Sequence, residues 1–265
     1  MFKTRLISGI LLVIIAFFSV YFGGDVLFLL LLLTSLIGMT ELYKVVQTEK
    51  TLLGAAGYLA AAGYYLLLRF DRKEEIMMLV IAALVIIMAV YVFSFPKYKS
   101  EQVVMTFFGI FYVAVMLSYI YQTRLLEGGI FLVGLVFLSS WGCDTCAYCV
   151  GVLIGKHKMA PKLSPKKSVE GGVGGLLGAA LLGALYALAV SKWGGVRAGA
   201  FEYAVICFVG GMISMVGDLA ASAIKRNHDI KDYGKLIPGH GGILDRFDSV
   251  IFTAPVIYYL AVILL

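Results

Sequence analysis

Apolar runs of roughly 20 residues, the length that crosses a hydrocarbon core of about 30 Å as a helix, follow one another almost without a break along this 265-residue chain. In hydrocarbon every backbone amide and carbonyl needs a partner inside the protein, so runs of this kind fold as helices. With 61% of residues hydrophobic and only 14% charged, a water-soluble globule is excluded and no stretch remains for a separate soluble domain. The first run, Leu6 to Phe22, is followed by no small-x-small cleavage site and reads as a retained first span. All four cysteines lie inside apolar runs, which excludes a secreted disulfide framework. The net charge of +6 is too small and too localised to point to nucleic acid, so its distribution between loops carries the information.

Nine segments can be marked out, at about 6–22, 26–46, 51–69, 76–95, 102–121, 130–154, 169–191, 200–224 and 243–264. The fold class expected is therefore an all-α integral membrane protein with about nine transmembrane helices. Nine spans place the N-terminus and the connections near 47–50, 96–101, 155–168 and 225–242 on one face. That face carries 16 of the 22 basic residues, and the other carries Arg69, Arg72, Lys73, Arg124, Lys192 and Arg197. The positive-inside rule then puts the N-terminus and the two long basic connections in the cytoplasm, the inner face of the cell membrane. Residues 1–125 read as scaffold and lipid contact, whereas polar residues, glycines and prolines concentrate in 126–265, the expected catalytic region. No convincing internal repeat is present, which weakens an inverted-repeat transporter reading.

Lone acids mark the C-terminal half. Asp144 is the only residue charged at neutral pH between Glu127 and Lys156, and Asp218 the only one between Glu202 and Lys225. A carboxylate in an apolar span costs at least a few kcal/mol unless it faces a polar cavity, a cation or a metal, so each is a functional candidate. The bland alternative is a bond to a neighbouring helix through Ser or Thr. Asp218, Ser222 and Lys225 stand at i, i+4 and i+7, on one helical face that ends at the cytoplasmic mouth. The expected site is a polar pocket open to the cytoplasm.

The connection from Lys225 to Gly242 and the start of the last span mix cations, carboxylates and glycines more densely than any other stretch. Asp245 and Asp248, at i and i+3, can share a face, and the helix dipole favours acids there. Gly239, Gly241 and Gly242 allow backbone N–H groups to approach an anion ahead of a helix N-terminus. Carboxylates for a hard divalent ion beside Lys and Arg for phosphates suit phosphoryl chemistry. A merely solvated basic loop explains the lysines but not the acids and glycines. In the other long connection, 155–168, two prolines oppose helix and Ser168 is a reasonable N-cap. Its outer lysines can attract anionic headgroups, while Lys166 and Lys167, next to the helix start, are placed to enter the pocket. Gly171 to Gly178 reads as a close-packing helix face rather than a phosphate cradle.

Other signals fail on inspection. Gly151 to His157 has the wrong spacing for a P-loop and no Ser or Thr after Lys156. Cys143, Cys146 and Cys149 spell C-x-x-C-x-x-C, but on a lipid-buried helix they do not form a cluster-binding loop.

The stretch through Ser222, Lys225-Arg226, Lys231-Asp232, Gly234, Pro238, His240-Gly241-Gly242, Asp245-Arg246 and Asp248 resembles the signature of the phosphatidate cytidylyltransferase (CDP-diacylglycerol synthase) family. Trp141, Asp144-Thr145, Tyr148, Gly151, Gly155, Pro161, Ser164-Pro165-Lys166, Glu170 and Gly171 are also similar to the family pattern. The resemblance implies transfer of the cytidylyl group of CTP to phosphatidic acid, with Mg²⁺ as cofactor and a second cation left open. It assigns Asp218, Asp245 and Asp248, with Asp144, to metal. Lys166, Lys225, Arg226, Lys231 and His240, with Asp218, become the catalytic set. Ser222, Lys167, Gly239, Gly241, Gly242 and Arg246 become substrate-binding. Membrane lipids are expected partners, a homodimer is implied, and nucleic acid is not expected. The alternative class is a membrane carrier for an anionic or cation-coupled solute, since lone acids in spans also mark transport paths. A CDP-lipid-consuming transferase lacks its D-G-x-x-A-R type of motif here.

Overall fold

Long apolar runs without internal capping residues become long helices, and among the described residues eight are long and apolar enough to cross a membrane. They are Gly24–Val45, Leu52–Arg69, Lys73–Phe93, Ser100–Leu125, Gly129–Ile154, Val169–Trp193, Ala200–Asn227 and Leu244–Leu264. The preceding helix, Phe2–Phe22, adds a shorter apolar stretch, Ile7–Phe22. A computed structural model describes residues 2–194, 199–239 and 241–265, with side chains from residue 7 onward. Arg197 and His240, both named above, lie outside the described residues. The protein is all-α and multi-pass, with each run expected from the sequence found in a helix.

The chain divides into two compact units, residues 1–121 with 232–246, and residues 122–231 with 247–265. In the first unit, several polar atoms inside apolar helices are joined in pairs, as burial favours. The Tyr43 hydroxyl donates to the Thr106 carbonyl at 2.7 Å, Ser35 Oγ pairs with the Tyr65 hydroxyl at 2.8 Å, and Tyr64 with Ser118 at 3.0 Å. Thr51 caps the Leu52–Arg69 helix by accepting from Gly54 N at 3.3 Å. Ile110–Val115 winds as a π-helical stretch inside the Ser100–Leu125 span. The stretch 232–246 belongs to this unit although it lies more than a hundred residues further along the chain.

In the second unit, small residues bring helices close. A Cβ at Gly175 would stand 2.9 Å from Ala147 Cβ and 3.0 Å from the Cys143 carbonyl oxygen, so Val169–Trp193 packs backbone to backbone on Gly129–Ile154. The close-packing reading of this glycine run matches that geometry. Cys143 is buried in the same contact, Cys146 is half-buried and Cys149 is exposed, all as free thiols. A second π-helical stretch, Leu138–Gly142, leads directly to Asp144. The connection 155–168 is not irregular throughout: Lys158–Ala160 and Ser164–Ser168 pair as an antiparallel hairpin. The prolines sit in its turn and in a strand with one unpaired edge, where a missing N–H is tolerated.

Candidate functional site

The hairpin closes one side of a cavity of about 630 Å³ within the second unit, a size that suits a small-molecule site. Its start is clasped to the helix that follows it. The Glu170 carboxylate accepts from Lys156 N at 3.1 Å, from His157 N at 3.2 Å and from His157 Nδ1 at 2.5 Å. At its other end Ser168 caps the same helix, accepting from Gly171 N at 3.1 Å. These fastenings set Lys158, Lys166 and Lys167 on the cavity wall. Asp144 and Asp218 stand on the wall with them, and Tyr148, Val152, Met159 and Met215 supply an apolar surface. Cations, acids and an apolar wall together fit a ligand that is part phosphate and part lipid.

The acids of this unit are grouped. Lys167 Nζ forms an ion pair with Asp218 Oδ2, both side chains about a quarter exposed. Ser222 donates to Asp218 Oδ1 at 3.4 Å, one turn further along the same helix. Asp248 is buried and lies within electrostatic range of Asp218, Asp144 and Lys225. Ser249 links two of the acids: its amide donates to Asp248 Oδ1 at 2.8 Å, and its hydroxyl reaches Asp144 Oδ2 at 3.5 Å. Asp144, Asp218, Asp248, Ser222, Lys167 and Lys225 are thus brought into one neighbourhood. Arg226 is exposed, with its guanidinium at 3.4 Å from the Ile230 carbonyl oxygen, and Lys231 is exposed beyond it.

Asp245, Arg246, Gly239, Gly241 and Gly242 belong to the first unit. Asp245 Oδ2 accepts from Tyr233 N at 2.8 Å and from Gly242 N at 3.0 Å, which folds 233–242 into a closed loop. Ile237 N donates to the Gly241 carbonyl at 2.8 Å across that loop, and both Gly239 and Gly241 have positive φ, 79° and 88°. The amides at the head of the last helix are engaged too: Ile243 N and Leu244 N donate to Glu41 Oε1 and Oε2 at 3.1 and 2.8 Å. Protein carboxylates therefore take the Gly242, Ile243 and Leu244 amides that an anion-binding helix terminus would offer. Glu41, Ser249 and Lys158 were not singled out as site residues by sequence reasoning, whereas Tyr148 was part of the second stretch similar to the family pattern. Glu41 alone carried a signal, as an acid placed inside an apolar helix.

Among the described residues, no three His, Cys, Asp or Glu side chains form a ready-made metal cage. The donors that do gather, Asp144, Asp218 and Asp248, are all carboxylates. A small hard ion such as Mg²⁺ takes one or two carboxylates and completes its shell with water and substrate phosphates, so this donor set fits it.

The cavity of this multi-pass protein brings acids, lysines and an apolar wall together, a lining that suits a phosphate-bearing ligand. The family model of the cytidylyltransferase family matches residues 3–264, and the chain belongs to that family. It is similar to a phosphatidate cytidylyltransferase of Staphylococcus epidermidis, 31% identical over 98% of this chain and 99% of the relative. A protein of the same name from Synechocystis sp. is 31% identical over 98% of this chain and 97% of its own length. A third, from Staphylococcus aureus, is 28% identical over 98% and 99%.

Proposed function

We infer that the chain is a nucleotidyltransferase that joins the cytidylyl group of CTP to phosphatidic acid, giving CDP-diacylglycerol and pyrophosphate. The observation that carries this reading is the cavity itself, where Asp144 and Asp218 stand beside Lys158, Lys166 and Lys167 on a partly apolar wall. A phosphate monoester oxygen of the lipid attacks the α-phosphorus of CTP. The bond from that phosphorus to the bridging oxygen breaks, and the electron pair leaves with pyrophosphate. The lipid phosphate is already ionised near pH 7, so the chain supplies no strong general base. Its task is to bring two polyanions together and to stabilise the leaving charge.

Lys166 and Lys158 pair with phosphate oxygens at the cavity wall, while Tyr148, Val152 and Met215 receive the start of the acyl chains. Lys167 balances Asp218 until phosphate arrives. Lys225, Arg226 and Lys231 meet the triphosphate. In the first unit, Asp245 shapes the loop that carries Gly239, Gly241, Gly242 and Arg246, and His240 is a further phosphate contact. Asp218 and Asp248, with Asp144, would hold Mg²⁺, which would supply charge neutralisation for the polyphosphate.

The two basic connections face the cytoplasm, where CTP is available, as the charge asymmetry between faces supports. Residues 126–265 carry the chemistry, residues 1–125 the scaffold, and a homodimer is the expected assembly. The test is direct. Purified protein given CTP and phosphatidic acid should release pyrophosphate and form CDP-diacylglycerol in equal amounts. Solute flux across vesicles without consumption of CTP would instead mark a carrier.

A further inference from the structure

Glu41 is a charged residue near the end of an otherwise apolar helix, Gly24–Val45, and only 3% of its surface is exposed. An acid so placed is costly unless its oxygens are satisfied. Here both are, by backbone amides 202 and 203 residues away in sequence, Ile243 N at 3.1 Å and Leu244 N at 2.8 Å. These are the orphan donors at the head of the last helix, which has no capping side chain of its own in the preceding Gly241-Gly242. Two glycines complete the seat. A Cβ at Gly242 would meet no nearer group than the Glu41 carboxylate, and one at Gly234 would meet the same carboxylate at its Oε1 and, at 2.8 Å, its Cδ. The loop from Gly234 to Gly242 therefore closes around this one side chain. Asp245 ties the same loop from within, through Tyr233 N and Gly242 N.

We propose that Glu41 is a positioning residue for nucleotidyl transfer: it acts through the 233–246 loop, holding Asp245, Arg246 and the backbone at Gly239 and Gly241 in register for the polyphosphate. The inference rests on the reading of that loop as phosphate-handling. A carboxylate accepts at both oxygens, whereas an amide accepts at one and presents an N–H₂ to the other donor. Glu41→Gln therefore keeps size and shape and turns one of the two attractive contacts into a repulsive one. The loop shifts by a fraction of an ångström to 1 Å, enough to lower turnover by about 10- to 100-fold.

Four full-length variants test this, Glu41→Gln, Glu41→Asp, Ser35→Ala and Asp245→Asn, each measured for kcat, for KM toward CTP and for thermal midpoint in detergent. Ser35→Ala removes a buried hydrogen bond from the same helix, to Tyr65, and serves as the stability control. The expected result is a fall in kcat with a raised KM for CTP in Glu41→Gln, partial recovery in Glu41→Asp, and a thermal midpoint no lower than that of Ser35→Ala, whose kinetics stay unchanged. A second comparison holds if Glu41→Gln folds poorly. Gly242→Ala should be severe alone yet add little to Glu41→Ala, because the new methyl group enters the space the carboxylate leaves. Wild-type kinetics in Glu41→Gln beside an inactive Asp245→Asn would overturn the role of Glu41 and spare the loop. Wild-type kinetics in both would overturn the loop reading and this inference with it. Additive losses from Gly242→Ala and Glu41→Ala would also overturn it.

Discussion

A cation contributes to phosphate chemistry according to where its charge is held, and the lysines and arginines here differ in that respect. Lys225 is half-buried within electrostatic range of Asp248, whereas Arg226, next to it, is exposed. A hydrogen bond to a charged partner contributes about 1.5–3 kcal/mol. Lys225→Ala should accordingly lower kcat/KM about tenfold to a hundredfold, with a smaller loss for Arg226→Ala. Lys97 and Lys99, in a loop remote in sequence from the acids, should tolerate alanine with little change. Steady-state kinetics on the four variants checks this, and equal small effects at all four would return the basic residues to a solvated surface. Asp144, Asp218 and their alternatives were legible in sequence because each is the sole group charged at neutral pH in its run. Glu41 offered only the weak signal of an acid within an apolar helix, and Lys44 and the loop that follow it closely make it look like an interfacial residue. Its partners lie some two hundred positions away, and only a folded chain brings them together.

Among the elements, the helices were legible and the short hairpin was not. Uninterrupted apolar runs of spanning length have one solution in lipid, and Ser168 announced its helix by its capping chemistry. Nothing local announces the pairing of Lys158–Ala160 with Ser164–Ser168, since lysines and prolines have low strand propensity. The hairpin forms because Glu170 and Ser168 fasten its ends to the Val169–Trp193 helix. The π-helical stretches were equally silent, being departures from a pattern that itself reads as plain helix. Helix contact in this region depends on missing side chains. Gly175→Leu would force a bulky group against Ala147 and the Cys143 carbonyl, at a cost of about 1–3 kcal/mol or more. Its thermal midpoint should fall by several degrees, while Leu177→Ala, on an exposed apolar face, should leave the midpoint nearly unchanged. A midpoint equal to wild type in Gly175→Leu would argue against close packing there.

For the whole molecule, the asymmetry of basic residues gives an expected orientation, and exposure in the structure selects where to test it. Lys162 lies in the hairpin turn and Lys235 in the 225–242 connection, both exposed, and Arg72, also exposed, is expected on the opposite face. Single cysteines at 162 and 235, in a background without the four native cysteines, should react with an impermeant thiol reagent from the same side of sealed vesicles. A cysteine at 72 should react from the other side. Labelling of 162 and 235 from opposite sides would separate the two basic connections and end a shared site.

Carboxylates of the second unit are proposed to hold a hard cation while the lysines gather phosphate. Pyrophosphate release by purified protein, titrated with Mg²⁺ in the presence of CTP and phosphatidic acid, measures that claim most directly, with Asp218→Asn beside the wild type and thermal midpoints recorded for both. The expected result is release that requires all three components and stops when the metal is chelated. Asp218→Asn should keep its midpoint and lose turnover about 10²–10³-fold or more. A folded Asp218→Asn with near wild-type turnover and an unchanged response to Mg²⁺ would contradict it.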